Sequence, residues 1–127
     1  MRLALDTNAY RAAADGESRP VEFLRRAEEI WLPHVVLGEL RAGFALGTFG
    51  KKNEARLTEF LNSPRVKALY PDDQTTHHYA SLFAQLRRQG TPIPTNDLWI
   101  AALAVQHDLM LLSSDAHFSK IAQIMRL

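Results

Sequence analysis

Residues 1–10 read MRLALDTNAY. Leu3, Ala4 and Leu5 form an unbroken apolar run, and Asp6 stands directly behind it, followed by Thr7 and Asn8. An apolar run without polar alternation is the mark of a strand buried on both faces, as in a parallel sheet. Arg2 to Leu5 are therefore predicted as a short buried strand, with Asp6 at its carboxyl end. Binding groups of open parallel sheets gather at that end, and an Asp there can also cap the helix that follows. Both roles are open to Asp6 on this pattern.

Beyond Asp6 the pattern alternates. A brief helix is expected over Ala9 to Ala14, halted by Asp15-Gly16, and Pro20 suits the opening of a helix that continues through Val21, Phe23, Leu24 and Ala27. Ile30, Trp31 and Leu32 make a second strand closed by Pro33. Val36, Leu37, Leu40 and Phe44 recur at helical spacing within His34 to Leu46, and a loop rich in Gly and Lys follows. Glu54 to Leu61 reads as a helix, Val66 to Tyr70 as a strand and Thr76 to Arg88 as a long helix. Thr95 is placed to cap the most apolar helix, Asn96 to His107. Leu109 to Leu112 is a further strand, Ala116 to Ile121 a short helix, and Ile124 to Leu127 a last strand. Strands alternating with helices predict an α/β fold: one domain, 1–127, with a central parallel sheet flanked by helices.

Composition narrows the class. With 127 residues, 46% of them hydrophobic, the chain can bury a single core. It has no long apolar segment and no basic, hydrophobic leader, so a soluble, cytoplasmic protein without membrane association is expected. The absence of Cys removes disulfides, thiolate zinc sites and cysteine nucleophiles. Net charge is +1, yet if four acids were gathered around a cation, 15 Lys and Arg would face 10 remaining acids, a balance that attracts phosphate.

Four carboxylates stand in apolar surroundings. Asp6 and Asp115 follow apolar strands. Glu39, within VVLGELRAG, has Val35, Val36, Ala42 and Gly43 as its helical neighbours, so it is either an acid reaching water from the edge of the buried stripe or one held for a purpose. Asp97 lies in the first turn of its helix, where the dipole favours an acid, and it heads the core-facing stripe Ile100, Ala101, Ala104 and Val105. Converging at one sheet edge, four carboxylates would need raised pKa values or a hard cation such as Mg²⁺ or Mn²⁺. Such acidic clusters hold metal for phosphoryl chemistry.

Asp6-Thr7-Asn8, Gly38-Glu39-Leu40, NDLWIAALA at Asn96 to Ala104 and SSDAHF at Ser113 to Phe118, in this order and at these separations, resemble a PIN domain, and within that group the VapC-type toxins of toxin–antitoxin modules. The resemblance spans essentially the whole chain and implies a three-layer PIN-like fold. It also implies a Mg²⁺-dependent endoribonuclease whose metal and catalytic residues are Asp6, Glu39, Asp97 and Asp115. Asn8 and the Ser113 hydroxyl would orient ligands or water. RNA as substrate, a cognate antitoxin and a homodimer follow from the same likeness. Ser113-Ser114 and His117 depart from the commoner family pattern around the last acid. The alternatives are a housekeeping PIN nuclease in RNA maturation and a non-catalytic α/β binding module whose acids serve only as caps.

Other features are read as structural. Adjacent His77 and His78 point in different directions on a helix and lack metal-ligand spacing. His117 is expected on a helix surface, where it could touch substrate. Trp31 and Trp99 are expected as core or interface anchors. Arg41, Lys51, Lys52, Arg56, Arg87 and Arg88 either line an RNA groove or belong to solvated helix faces.

Overall fold

A computed structural model describes Met1 to Leu127. Four strands, β1 (Arg2–Leu5), β2 (Glu29–Pro33), β3 (Val66–Leu69) and β4 (Met110–Leu112), pair in parallel in the order β3-β2-β1-β4. Around them lie α1 (Thr7–Ala14), α2 (Ser18–Arg26), α3 (His34–Leu46), α4 (Gly50–Leu61), α5 (Asp73–Arg88) and α6 (Thr95–Gln106). This is the expected α/β architecture. No helix is long and apolar enough to cross a membrane.

Leu3, Ala4 and Leu5 are all fully buried, and because neighbouring strand residues point to opposite faces, both faces of the sheet are covered. In α6, Leu98 and every residue from Ile100 to Ala104 are buried, the signature of a helix enclosed on nearly all sides. Truncating Leu103 or Leu111, both without exposure, to Ala would cost roughly 2–5 kcal/mol in lost transfer energy and cavity formation.

The strand order positions the site. From β1 the chain crosses to β2 on one side, whereas β4 flanks β1 on the other, so the order reverses at β1 and leaves a crevice beyond the carboxyl ends. Leu5 pairs with Leu112, and the Asp6 N–H donates to the Leu112 carbonyl at 3.4 Å. Asp6 and the Ser113-Ser114-Asp115 segment therefore leave the sheet side by side.

Several elements differ from the sequence expectation. The helix expected from Glu54 starts at Gly50, where a Cβ would stand 2.5 Å from the Phe44 carbonyl oxygen, so glycine permits the close return from α3 to α4. Helix α5 starts earlier too, at Asp73: the Asp72 side chain accepts from the Thr75 N–H at 3.1 Å while the Thr75 hydroxyl accepts from the Asp72 N–H at 2.9 Å. Thr95 is not a cap; Pro94 holds that place and Thr95 is the first helical residue. The short helix expected over Ala116 to Ile121 forms as a 3-10 helix, Ala116–Lys120.

The last strand shrinks to a single parallel bridge, Leu111 with Arg126. Successive residues of a strand direct their backbone groups to opposite neighbours, and three-residue β4 leaves only Leu111 turned outward once β1 is paired. Leu111 accordingly donates to Met125 and accepts from Leu127, both at 2.9 Å.

Candidate metal centre and active site

Asp6, Glu39, Asp97 and Asp115, together with Thr7, Asn8 and Arg11, line one cavity of about 110 Å³ at the crevice beside β1. The four sequence-derived acids thus come from four separate segments to one place. The largest cavity, about 870 Å³ between α3 and α4, contains none of them.

Each acid is held differently. Asp6, 5% exposed, accepts from the Ala9 N–H at 2.8 Å through Oδ1, capping α1, and from the Ser113 hydroxyl through Oδ2. Asp115 accepts from the His117 N–H at 2.9 Å. Capping and convergence are therefore both true of these two strand-end aspartates. Glu39 is exposed, yet its Oε1 accepts from the Thr7 hydroxyl at 2.8 Å, which fixes it towards α1 while Oε2 keeps no protein partner. Asp97 accepts no cap bond; its Oδ2 lies 2.8 Å from His117 Nδ1.

Ser113, 4% exposed, also accepts from the Asp115 N–H at 3.0 Å, so one hydroxyl ties two of the acids together. Asn8 is exposed at the cavity rim and its side chain bonds to none of the acids. Its neighbour Thr7 does that work, although sequence reasoning passed over it. The signal was available: a hydroxyl one residue past the strand-end Asp enters the first turn of α1, where it meets Glu39 of α3.

His117 is closer to the chemistry than its expected place on a helix surface. Its Nδ1 lies 2.8 Å from Asp97 and 3.1 Å from Asp115 Oδ1. The cause is local. Asp115 caps the residue two positions on, an Asx-type turn that swings that residue's ring back over the acids. His77, by contrast, only approaches Asp73 at 3.8 Å on the exposed side of α5.

Burial pushes the Asp6 carboxyl above its ordinary value; the bonds from Ser113 and Ala9 oppose this, and the charges of Asp115 and Asp97 add to it. Asp97 is also pushed up, first by burial, against the hydrogen bond from His117 and with repulsion from Asp115 and Glu39. Mutual repulsion in a small cavity is what a divalent cation relieves. Ligand atoms of Asp97, Asp115 and His117 lie within 4.8 Å of one another, comparable to the ~4 Å span across an ion with ligands at about 2.1 Å. Hard oxygen donors with one imidazole fit a divalent metal.

The PIN domain matches residues 3–124. The chain belongs to the PIN-domain family. This PIN domain is similar to Ribonuclease VapC4 of Mycobacterium tuberculosis, 31% identical over 90 residues that cover 71% of this chain and 69% of that protein. It is 37% identical to Ribonuclease VapC1 of Haemophilus influenzae over 82 residues, covering 61% of this chain but only 60% of that relative's length. In three dimensions it resembles VapBC2 from Rickettsia felis, solved bound to a DNA fragment from its promoter, with a TM-score of 0.85, 26% identity and coverage of 100% of this chain and 98% of that one.

Of the basic residues considered from the sequence, Arg41 and Lys51 line the groove between α3 and α4, where Arg41 pairs with Glu54 at 3.0 Å. Arg56 donates to the Ala14 carbonyl at 2.8 Å, and Arg87 stacks over Phe83. Trp99 packs in this PIN domain against His34 and Tyr79, and Lys67 lies over Trp31. Both tryptophans are thus engaged by their own chain.

Proposed function

We propose that this PIN domain is the endoribonuclease toxin of a toxin–antitoxin module, hydrolysing RNA phosphodiester bonds at the acidic cavity with Mg²⁺, or Mn²⁺, as cofactor. The observation that carries this is the convergence of Asp6, Glu39, Asp97 and Asp115 on one small cavity at the strand-order reversal. Its relatives' names as VapC ribonucleases support the choice of RNA, and the VapBC complexes support a cognate antitoxin as partner.

Asp6, Asp97 and Asp115 would hold the cation, with Glu39 as a further ligand or as the proton acceptor. A bound divalent cation polarises the phosphate, lowers the pKa of an attacking water and balances charge on the leaving oxygen. The remaining work belongs to side chains of this chain. Ser113 orients Asp6 and the start of the Asp115 turn, and Thr7 aims Glu39. Glu39 is exposed and its Oε2 has no protein partner, so this carboxylate would take the proton where it does not bind the cation. A homodimer acting on RNA in the cytoplasm completes the proposal.

The test is incubation of purified protein with total RNA in Mg²⁺, Mn²⁺ or EDTA, alongside folded Asp97→Asn protein. Discrete products with metal, absent with EDTA and at least 100-fold slower to form with Asp97→Asn, are expected. Equal cleavage by Asp97→Asn would remove the acidic cavity from the chemistry.

A further inference from the structure

Arg11 is the one residue that lines both the acidic cavity and an adjoining cavity of about 290 Å³, the latter bounded by Asn53, Gly43 and Arg56. It follows Thr7 by four residues on α1, as Gly43 follows Glu39 by four on α3, so each pair shares a helix face. The two helices meet in successive rungs: Thr7 bonds Glu39, and one turn on, Arg11 Nη2 would lie 3.3 Å from a Cβ on Gly43. A glycine at that rung lets the guanidinium lie against the backbone of α3.

What the guanidinium does not do is the informative part. Most of the chain's arginines are spent on its own groups: Arg41 on Glu54, Arg56 on the Ala14 carbonyl, Arg65 on the Leu24 and Ala27 carbonyls, Arg126 on the Asp115 carbonyl. The Arg11 side chain makes no hydrogen bond, ion pair or aromatic contact, although the residue is exposed beside four carboxylates. An exposed, unspent guanidinium at the exit of an acidic cavity is a bidentate donor set for an anion arriving from outside.

We infer that Arg11 binds a backbone phosphate of the RNA next to the scissile one, and that the 290 Å³ cavity seats the adjoining nucleoside. This rests on the ribonuclease reading given above. The acids need a cation before they tolerate any phosphate, whereas Arg11 needs none, so it supplies the attraction that draws the strand across the cavity. Asn53, whose side-chain amide has no protein partner, offers both a donor and an acceptor to a base edge in that seat. Arg11 is a positioning residue: it grips the strand and leaves the bond-breaking groups alone.

The experiment uses the wild type, Arg11→Gln and Arg11→Lys on a fluorophore–quencher RNA carrying the sequence that the wild type cuts fastest in total RNA, over a NaCl series. For Arg11→Gln, KM should rise about tenfold with kcat within twofold, since a charge-assisted phosphate contact is lost before the chemical step. The slope of log(kcat/KM) against log[NaCl] should fall in magnitude by about 0.7, the release of one counterion equivalent from single-stranded RNA. Arg11→Lys should keep the slope and recover part of KM. Unchanged KM and salt slope in Arg11→Gln beside an active wild type would overturn this inference alone. So would unchanged RNA kinetics with weakened antitoxin binding, which would assign Arg11 to that interface. A wild type that cuts no RNA with Mg²⁺ or Mn²⁺ would overturn the ribonuclease reading together with it.

Discussion

Replacing Ser113 by Ala removes one oxygen atom and two hydrogen bonds. The hydroxyl donates to Asp6 Oδ2 and accepts from the Asp115 N–H at 3.0 Å, and both Ser113 and Asp6 are almost wholly buried, at 4% and 5% exposure. Loss of a donor to a buried carboxylate costs about 1.5–3 kcal/mol, and the orphaned, partly buried N–H adds up to about 1 kcal/mol. A destabilisation of about 2–3 kcal/mol is expected without metal. At the usual unfolding entropy per residue, that lowers the thermal midpoint by about 10 °C. The assay is urea unfolding followed by circular dichroism in EDTA, repeated in an Asp6→Asn background. With an uncharged amide at position 6 the penalty should shrink to about 1 kcal/mol, because the charge of the acceptor accounts for most of it. Metal affinity, by calorimetry, should fall 10–100-fold as Asp6 loses its orienting partner. A loss below about 0.5 kcal/mol, or an equal loss in both backgrounds, would show that the Ser113 hydroxyl does not hold Asp6.

Asp6→Asn should be more stable than the wild type at pH 7 in EDTA. The folded-state pKa of Asp6 is raised above 3.8, so the folded chain binds more protons and stability is lost as pH rises through that window; the advantage of Asn should vanish below about pH 3.8 and reverse in saturating Mg²⁺, and pH-dependent urea titrations check all three. His117→Ala should narrow the ratio of Mn²⁺ to Mg²⁺ affinity, since an imidazole near Asp97 and Asp115 favours the transition metal; titration calorimetry with each ion measures it, and an unchanged ratio places His117 outside the donor set. A cognate antitoxin that pairs an Arg or Lys with these acids should bind more weakly in Mg²⁺, and by linkage should weaken metal binding equally; identical antitoxin affinities with and without Mg²⁺ leave steric cover as its mode of inhibition.

The alternation of apolar runs with helical stripes was enough to place β1 to β4 and the six helices, because burial on both faces of a strand and on one face of a helix is written in residue order. The four acids were legible for the same reason: Asp6 and Asp115 stand where apolar strands end, Asp97 where a core-facing stripe begins, and Glu39 among apolar and small neighbours in the middle of α3. Element starts were less so: α4 and α5 begin early through a glycine contact with Phe44 and a reciprocal Asp72–Thr75 cap, both set by the three-dimensional path of the chain. The last strand failed because three-residue β4 has one outward-facing residue to offer.

Sequence alone determined the fold class, the family resemblance and the identity of the four carboxylates, all of which depend on local spacing and residue type. Only the tertiary structure decided which neighbours hold them. Thr7 on Glu39, Ser113 between Asp6 and Asp115, His117 over Asp97, and Arg11 unspent beside Gly43 are contacts across elements separated in sequence. Their partners are chosen by the packing of α1 on α3 and of β4 on β1, which no local pattern encodes.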